Sequence, residues 1–179
     1  MPVLSGICSV GGETPPLQVE IIRNACYNSS NESEGIFMVK ILFLCHGNIC
    51  RSPMAEFVLK DMAAKAGILE KVEIASAAVS CEELGSPMYG PARRELERHS
   101  VPYAPRRARQ ITKKDCAYYD RIYYMDSANA RYLRRMFPQE TKFRPFLERD
   151  VADPWYTGDF NQTWQDICEG CSRILEEIR

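Results

Sequence analysis

From Val39 to Leu44 the chain is apolar almost without interruption, as in a strand covered on both faces rather than one alternating between core and water. A different period follows. Met54, Phe57, Val58 and Met62 recur at helical spacing, with Ser52 placed as an N-cap and Pro53 suited to the first helical position, so a helix is predicted to run to about Gly67. Further strands are predicted near Val72–Ala75, Arg121–Met125 and Phe143–Leu147, and further helices over Pro91–His99, Ser127–Met136 and Gln162–Ile178. Alternation of this kind implies an α/β fold, a three-layer sandwich around a central parallel sheet of about four strands, with ligands gathered at the carboxyl ends of the strands.

Residues 1–37 break the pattern. Gly11-Gly12, Pro15-Pro16 and the polar run Asn28–Gly35 punctuate them, and no period of two or 3.6 persists. They are expected to form a loosely ordered N-terminal appendage in which Val19–Ile22 pairs at most as a short edge strand, with residues 38–179 forming the domain. Met38, just before the first strong strand, is an alternative start.

Composition narrows the classes. At 179 residues and 45% apolar content the chain carries a core of its own, and a formal charge of −1 with pI ≈ 6.2 gives no basic field for nucleic acid or an anionic membrane. No run approaches the roughly 18 apolar residues of a membrane span. The eight cysteines, in a long chain without a basic-then-apolar leader, point to reduced thiols in a cytoplasm, and the three Asn-x-Ser/Thr triplets then carry no meaning.

The chemistry concentrates in Leu44-Cys45-His46-Gly47-Asn48-Ile49-Cys50-Arg51-Ser52-Pro53, between the first strand and its helix. A loop curling from strand to helix aims its backbone N–H groups at one central anion, and the helix N-terminus adds positive potential. Arg51 adds a planar fork for two oxygens of a phosphate, and a bowl of this sign favours Cys45 as a thiolate nucleophile. Cys-x5-Arg alone is a weak pattern; its place between strand and helix, with Gly47 and Asn48 for tight or left-handed backbone, gives it weight.

Cys45 to Pro53 resembles the signature loop of the low-molecular-weight protein tyrosine phosphatases, and Asp153-Pro154-Trp155-Tyr156 resembles their general-acid motif. Ser76-Ala77-Ala78, Ala108-Arg109-Gln110-Ile111-Thr112 and Met125-Asp126-x-x-Asn129 look like further landmarks in the right order, so the resemblance covers about 38–179. It implies a protein-tyrosine-phosphatase that passes through a cysteinyl-phosphate, with Cys45, Arg51 and Asp153 catalytic and no metal or cofactor. His46, Gly47, Asn48, Ile49, Cys50, Ser52, Trp155 and Tyr156 would bind substrate, His46 through its backbone N–H. Asn48 would hold the strained loop and Ser52 would donate to the Cys45 sulfur. Substrates would be phosphotyrosine-containing proteins, inorganic phosphate the product, and the working form a monomer.

Two relatives of this reading differ in chemistry. Thioredoxin-coupled arsenate reductases share the fold and loop but need a cysteine relay, whereas only Cys116 lies between Cys81 and Cys168 here. A phosphoarginine-preferring branch tends to carry threonine where this chain has Ile49. A non-enzymatic anion or redox sensor is disfavoured by the presence of both nucleophile and acid. The arginine clusters 93–98, 106–109 and 131–135 read as solvated faces, His99 as a cap or packing residue, and Cys168-x-x-Cys171 as helix thiols rather than zinc ligands. One position departs from the family: Glu82 falls where a Trp or Tyr usually walls the cleft, leaving Trp155, Tyr156 and Tyr89 to grip the substrate ring.

Overall fold

The computed structural model describes residues 38–179. The expectations for residues 1–37 lie outside the described residues. Four parallel strands, β1 (Val39–Cys45), β2 (Val72–Ala78), β3 (Arg121–Tyr124) and β4 (Phe143–Pro145), form one sheet in the order β2-β1-β3-β4. The α/β class and strand count agree with the sequence pattern, and the strand starts at Val72, Arg121 and Phe143 coincide with it.

The unbroken apolar run of β1 has a direct cause. Ile41, Phe43 and Cys45 point into one core cluster, with Met54 and Val58 of helix α1 (Arg51–Lys65) and Ile167 and Ile174 of helix α6 (Phe160–Ile178). Leu42 and Leu44 point into a second cluster with Cys116 of α3 (Lys113–Tyr118) and Leu133 of α4 (Ser127–Met136). A central strand between two helical layers has no face to spare for polar residues. Helix α2 (Gly90–Arg98) packs with α1 and α6, and a short helix α5 (Pro154–Thr157) follows the β4 loop.

Helix α1 begins at Arg51, two residues before the predicted start, and Ser52 does not cap it. The Ser52 hydroxyl is engaged elsewhere, as described below. The other end follows its sequence signal: Gly67 at φ 70° lets the Gly67 and Ile68 amides donate to the Ala64 and Ala63 carbonyls, a Schellman closure. Helix α3 went unpredicted because six residues are too few to show a period. Its signal was the pair Thr112 and Asp115, which form a reciprocal capping box.

Strand order reverses around β1: the chain leaves β1 for β2 on one side and returns to β3 on the other. The crevice of a parallel sheet opens at such a point, above the carboxyl ends of the strands. Loops after β1, β3 and β4 all emerge there.

Gly170, inside α6, lies against the edge of the fully buried Phe146 ring, which itself meets Phe43 edge-on at 5.5 Å between centroids. A Cβ on Gly170 would fall well inside van der Waals contact of that ring. In an open helix Gly→Ala gains up to about 1 kcal/mol. Here the overpacking term, about 1–3 kcal/mol, runs the other way. Gly170→Ala is expected to lower stability by about 1–2 kcal/mol in urea unfolding, with Phe146→Leu partly restoring it.

Candidate active site

The loop Cys45–Arg51 closes around its own sulfur. The Asn48 amide donates to Cys45 Sγ at 3.3 Å, and Ser52 Oγ lies 3.0 Å from the same sulfur. Asn48 sits at φ 59°, a left-handed conformation that costs an L-residue about 1 kcal/mol or more and that Asn tolerates better than most. Its side chain holds it there. Nδ2 donates to Ser52 Oγ and Ser76 Oγ, both at 2.9 Å, while Oδ1 accepts from Arg106 Nη2 at 2.8 Å and from the Arg109 amide at 3.3 Å. Because Ser52 Oγ accepts from Asn48, its one proton is left for Cys45 Sγ at 3.0 Å or the more distant Ala77 carbonyl at 3.4 Å. The predicted cap is thus spent on the Cys45 sulfur.

Arg106 is the main correction to the reading of arginine clusters as solvated faces. Its guanidinium, with side-chain exposure of 14%, bonds Asn48 and stands 3.8 Å from Glu56, and burial lowers its pKa against the opposing pull of that carboxylate. It is brought there by the strand-like segment after it: Ala78 bonds the Arg109 carbonyl and the Ile111 amide, laying residues 109–111 along the end of β2. Ser76 in turn donates to Glu56 at 2.6 Å, so the loop is tied to α1, to β2 and to the 106–109 segment at once.

Arg51, 2% exposed, carries two carboxylates. Nη1 donates to Asp126 Oδ2 at 2.6 Å and Nη2 to Asp153 Oδ2 at 2.5 Å. Burial opposes the guanidinium charge, but Cys45, Asp153 and Asp126 outweigh it and hold the pKa above its ordinary value. Both carboxylates are fixed the same way. Asp126 caps α4 through Oδ1 on the Asn129 amide at 2.6 Å, and Asp153 caps α5 through Oδ1 on the Trp155 amide at 3.1 Å. Each presents its second oxygen to Arg51. The Cys45 sulfur at the end of β1, the Arg51 guanidinium and the Asp153 carboxylate after β4 thus converge on one cleft of about 190 Å³.

A model of the low molecular weight phosphotyrosine protein phosphatases matches residues 40–179. The chain belongs to this family. Its sequence is 36% identical to the low molecular weight protein-tyrosine-phosphatase YfkJ of Bacillus subtilis, over 79% of this chain and 97% of that protein, and 35% identical to the human low molecular weight phosphotyrosine protein phosphatase, over 76% and 94%. The crystal structure of YfkJ superposes with a TM-score of 0.75 over 79% of this chain and 94% of that one. The Streptococcus pyogenes phosphatase SP-PTP gives 0.74, with 38% identity and the same shares.

Measured against the family reading of the sequence, His46, Gly47, Ile49, Cys50, Trp155 and Tyr156 line the cleft together with the three catalytic candidates. Asn48 and Ser52 stand behind it as supports. His46, expected to act through its backbone N–H, also brings its ring to the cleft, where it bonds Glu82 at 3.0 Å. Tyr89 does not line the cleft; it packs behind Trp155 at 5.3 Å between centroids. Asp126, Arg106, Ser76 and Glu56 were not singled out from the sequence as site residues. His99 stacks on Trp164 at 3.9 Å and bonds Glu95, a packing role between α2 and α6. Cys171 is fully buried and Cys168 half-buried along α6.

Proposed function

We propose that the protein hydrolyses phosphotyrosine in proteins through a cysteinyl-phosphate, with Asp153 as general acid and then base. The observation that carries this is the placement of Asp153 Oδ2 on the same guanidinium that faces the loop sulfur. An arriving phosphate monoester takes the fork of Arg51 and the loop N–H groups, displacing the carboxylates. Cys45 Sγ attacks phosphorus, the S–P bond forms and the P–O bond to the ring breaks as Asp153 delivers its proton to the phenolate oxygen. Water then attacks phosphorus, Asp153 takes its proton, and the S–P bond breaks to release inorganic phosphate. Ser52 stabilises the departing thiolate through its 3.0 Å contact.

The scheme calls on Cys45, Arg51, Ser52 and Asp153, and we read the working form as a monomer. Among the described residues no helix is long and apolar enough to cross a membrane, and the six described cysteines are free thiols. The decisive experiment compares phenyl phosphate, phosphotyrosine peptide, phosphoarginine peptide and arsenate. Turnover of the first two, with phosphoarginine at least about tenfold slower, is expected from Ile49, which borders the cleft where a threonine would favour phosphoarginine. Comparable rates on both peptides overturn that preference, and arsenate-dependent thiol oxidation without ester hydrolysis overturns the reading itself.

Cys50 gives the site a redox response. Burial pushes its thiol far up, with Cys45 and Asp153 adding to the shift, so Cys50 stays protonated beside the reactive sulfur. Peroxide converts Cys45 to a sulfenic acid, and Cys50 then forms the disulfide with loss of water. Mild peroxide followed by a thiol is expected to restore most activity in the parent and little in Cys50→Ser. Equal recovery would remove the protective role.

A further inference from the structure

Glu82 stands where a ring was expected to wall the cleft, and it lines the cleft together with His46. The loop around it is buried from Cys45 to Arg51 except at His46, whose side chain is 34% exposed and reaches to the rim. That ring is fixed from two directions. Glu82 Oε2 holds Nε2 at 3.0 Å, and Tyr132 of α4 meets the imidazole edge-on, with 5.4 Å between centroids and 76° between planes. Glu82 belongs to the β2–α2 connection and Tyr132 to the helix after β3, so the clasp joins three separate elements at the cleft mouth.

We propose that the His46 imidazole is the second wall of the substrate-ring subsite, and that Glu82 is the positioning residue that holds it. The inference rests on the phosphotyrosine reading of the site. Trp155, braced by Tyr89, supplies one aromatic surface and His46, braced by Tyr132, supplies another. A free histidine at a loop crest samples several rotamers, and a wall that must be ordered on binding contributes less. The carboxylate contact removes that cost beforehand. Glu82 therefore replaces the missing ring indirectly: its role is not to touch the substrate but to keep a ring of the neighbouring loop upright.

His46 and Glu82 then act as one unit, which a coupling measurement tests. Binding of benzylphosphonate and of methylphosphonate, neither of which can be hydrolysed, is compared by calorimetry in the parent, His46→Ala, Glu82→Ala, Glu82→Gln and the double alanine variant. Loss of a ring contact is expected to weaken benzylphosphonate by about three- to tenfold in His46→Ala and leave methylphosphonate within about twofold. Glu82→Ala should reproduce most of that selective loss, Glu82→Gln little of it because the amide can still bond the imidazole, and the double variant should be no worse than His46→Ala. Additive losses, equal losses for both phosphonates, or tighter binding of both in Glu82→Ala at low salt overturn the proposal; the last assigns Glu82 to repulsion alone. Since binding needs no turnover, failure of the parent to hydrolyse phenyl phosphate would count against the catalytic reading and leave this comparison intact.

Discussion

Cys45→Ser is expected to lower turnover of phenyl phosphate by at least about 10⁴-fold while the protein still folds and still binds phosphate. The physical reason is the state of the nucleophile. The Cys45 sulfur accepts from the Asn48 amide and lies 3.0 Å from the Ser52 hydroxyl, and a thiol is intrinsically a far stronger nucleophile than an alcohol. A serine hydroxyl in the same place stays protonated near neutral pH, and no base bonds it: Ser52 and the Asn48 amide are the partners there, and both are needed as donors. Arg51 and the loop amides remain in the variant, so phosphate affinity should change by no more than about threefold. A variant that retains more than about 1% of parental activity would mean that the first step is direct attack by water.

Asp153→Asn separates the acid from the anion site, and its effect should depend on the leaving group. An asparagine keeps the oxygen that caps α5 on the Trp155 amide, so the loop geometry survives the change. It cannot protonate a phenolate. For phenyl phosphate the loss should approach about 10²–10⁴-fold in kcat, the usual worth of general acid catalysis. For a nitrophenyl ester, whose anion leaves without help, the loss in the first step should be far smaller. Phosphate binding should hold or tighten, because one of the two carboxylates that occupy Arg51 has lost its charge. Equal losses with strong and weak leaving groups would assign the proton to another residue, and Asp126, on the other nitrogen of Arg51, would be the first to test.

These two carboxylates also illustrate what could be read in the sequence. Asp153 was legible as a cleft residue because Asp153-Pro154-Trp155-Tyr156 resembles the general-acid motif of the family. Asp126 sits in an equally ordinary helix start, and nothing local distinguishes a cap that uses one oxygen from a cap whose second oxygen reaches an arginine 75 residues away. Arg106 fails for the same reason. Its neighbours in the chain are charged and its partner Asn48 is 58 positions distant, so only the register of residues 109–111 against β2 reveals it. The strand–loop–helix unit from Val39 to Lys65 was legible because its signals are contiguous. Ser52 is the exception within it: a good N-cap by composition, it was drawn away from that role by Asn48 and Cys45, whose demands are set by the folded loop.

The anchoring of Asn48 has a consequence for how the domain opens. Active-site segments are commonly drawn from the least stable parts of a protein, where local unfolding costs little. Here the loop amide is locked to helix α1, strand β2 and the 106–109 segment by one buried side chain, so the floor of the site cannot loosen without taking the centre of the sheet with it. The rim is built differently: Trp155 and Tyr156 are 55% and 84% exposed on a helix of a single turn. Amide protons of the phosphate loop should therefore exchange with solvent only as fast as the whole domain unfolds, whereas those around Trp155 and Tyr156 exchange from the native state. The sulfur and the anion-binding groups thus stand on the stiff floor, whereas Asp153, which caps the Trp155 helix, moves with the soft rim.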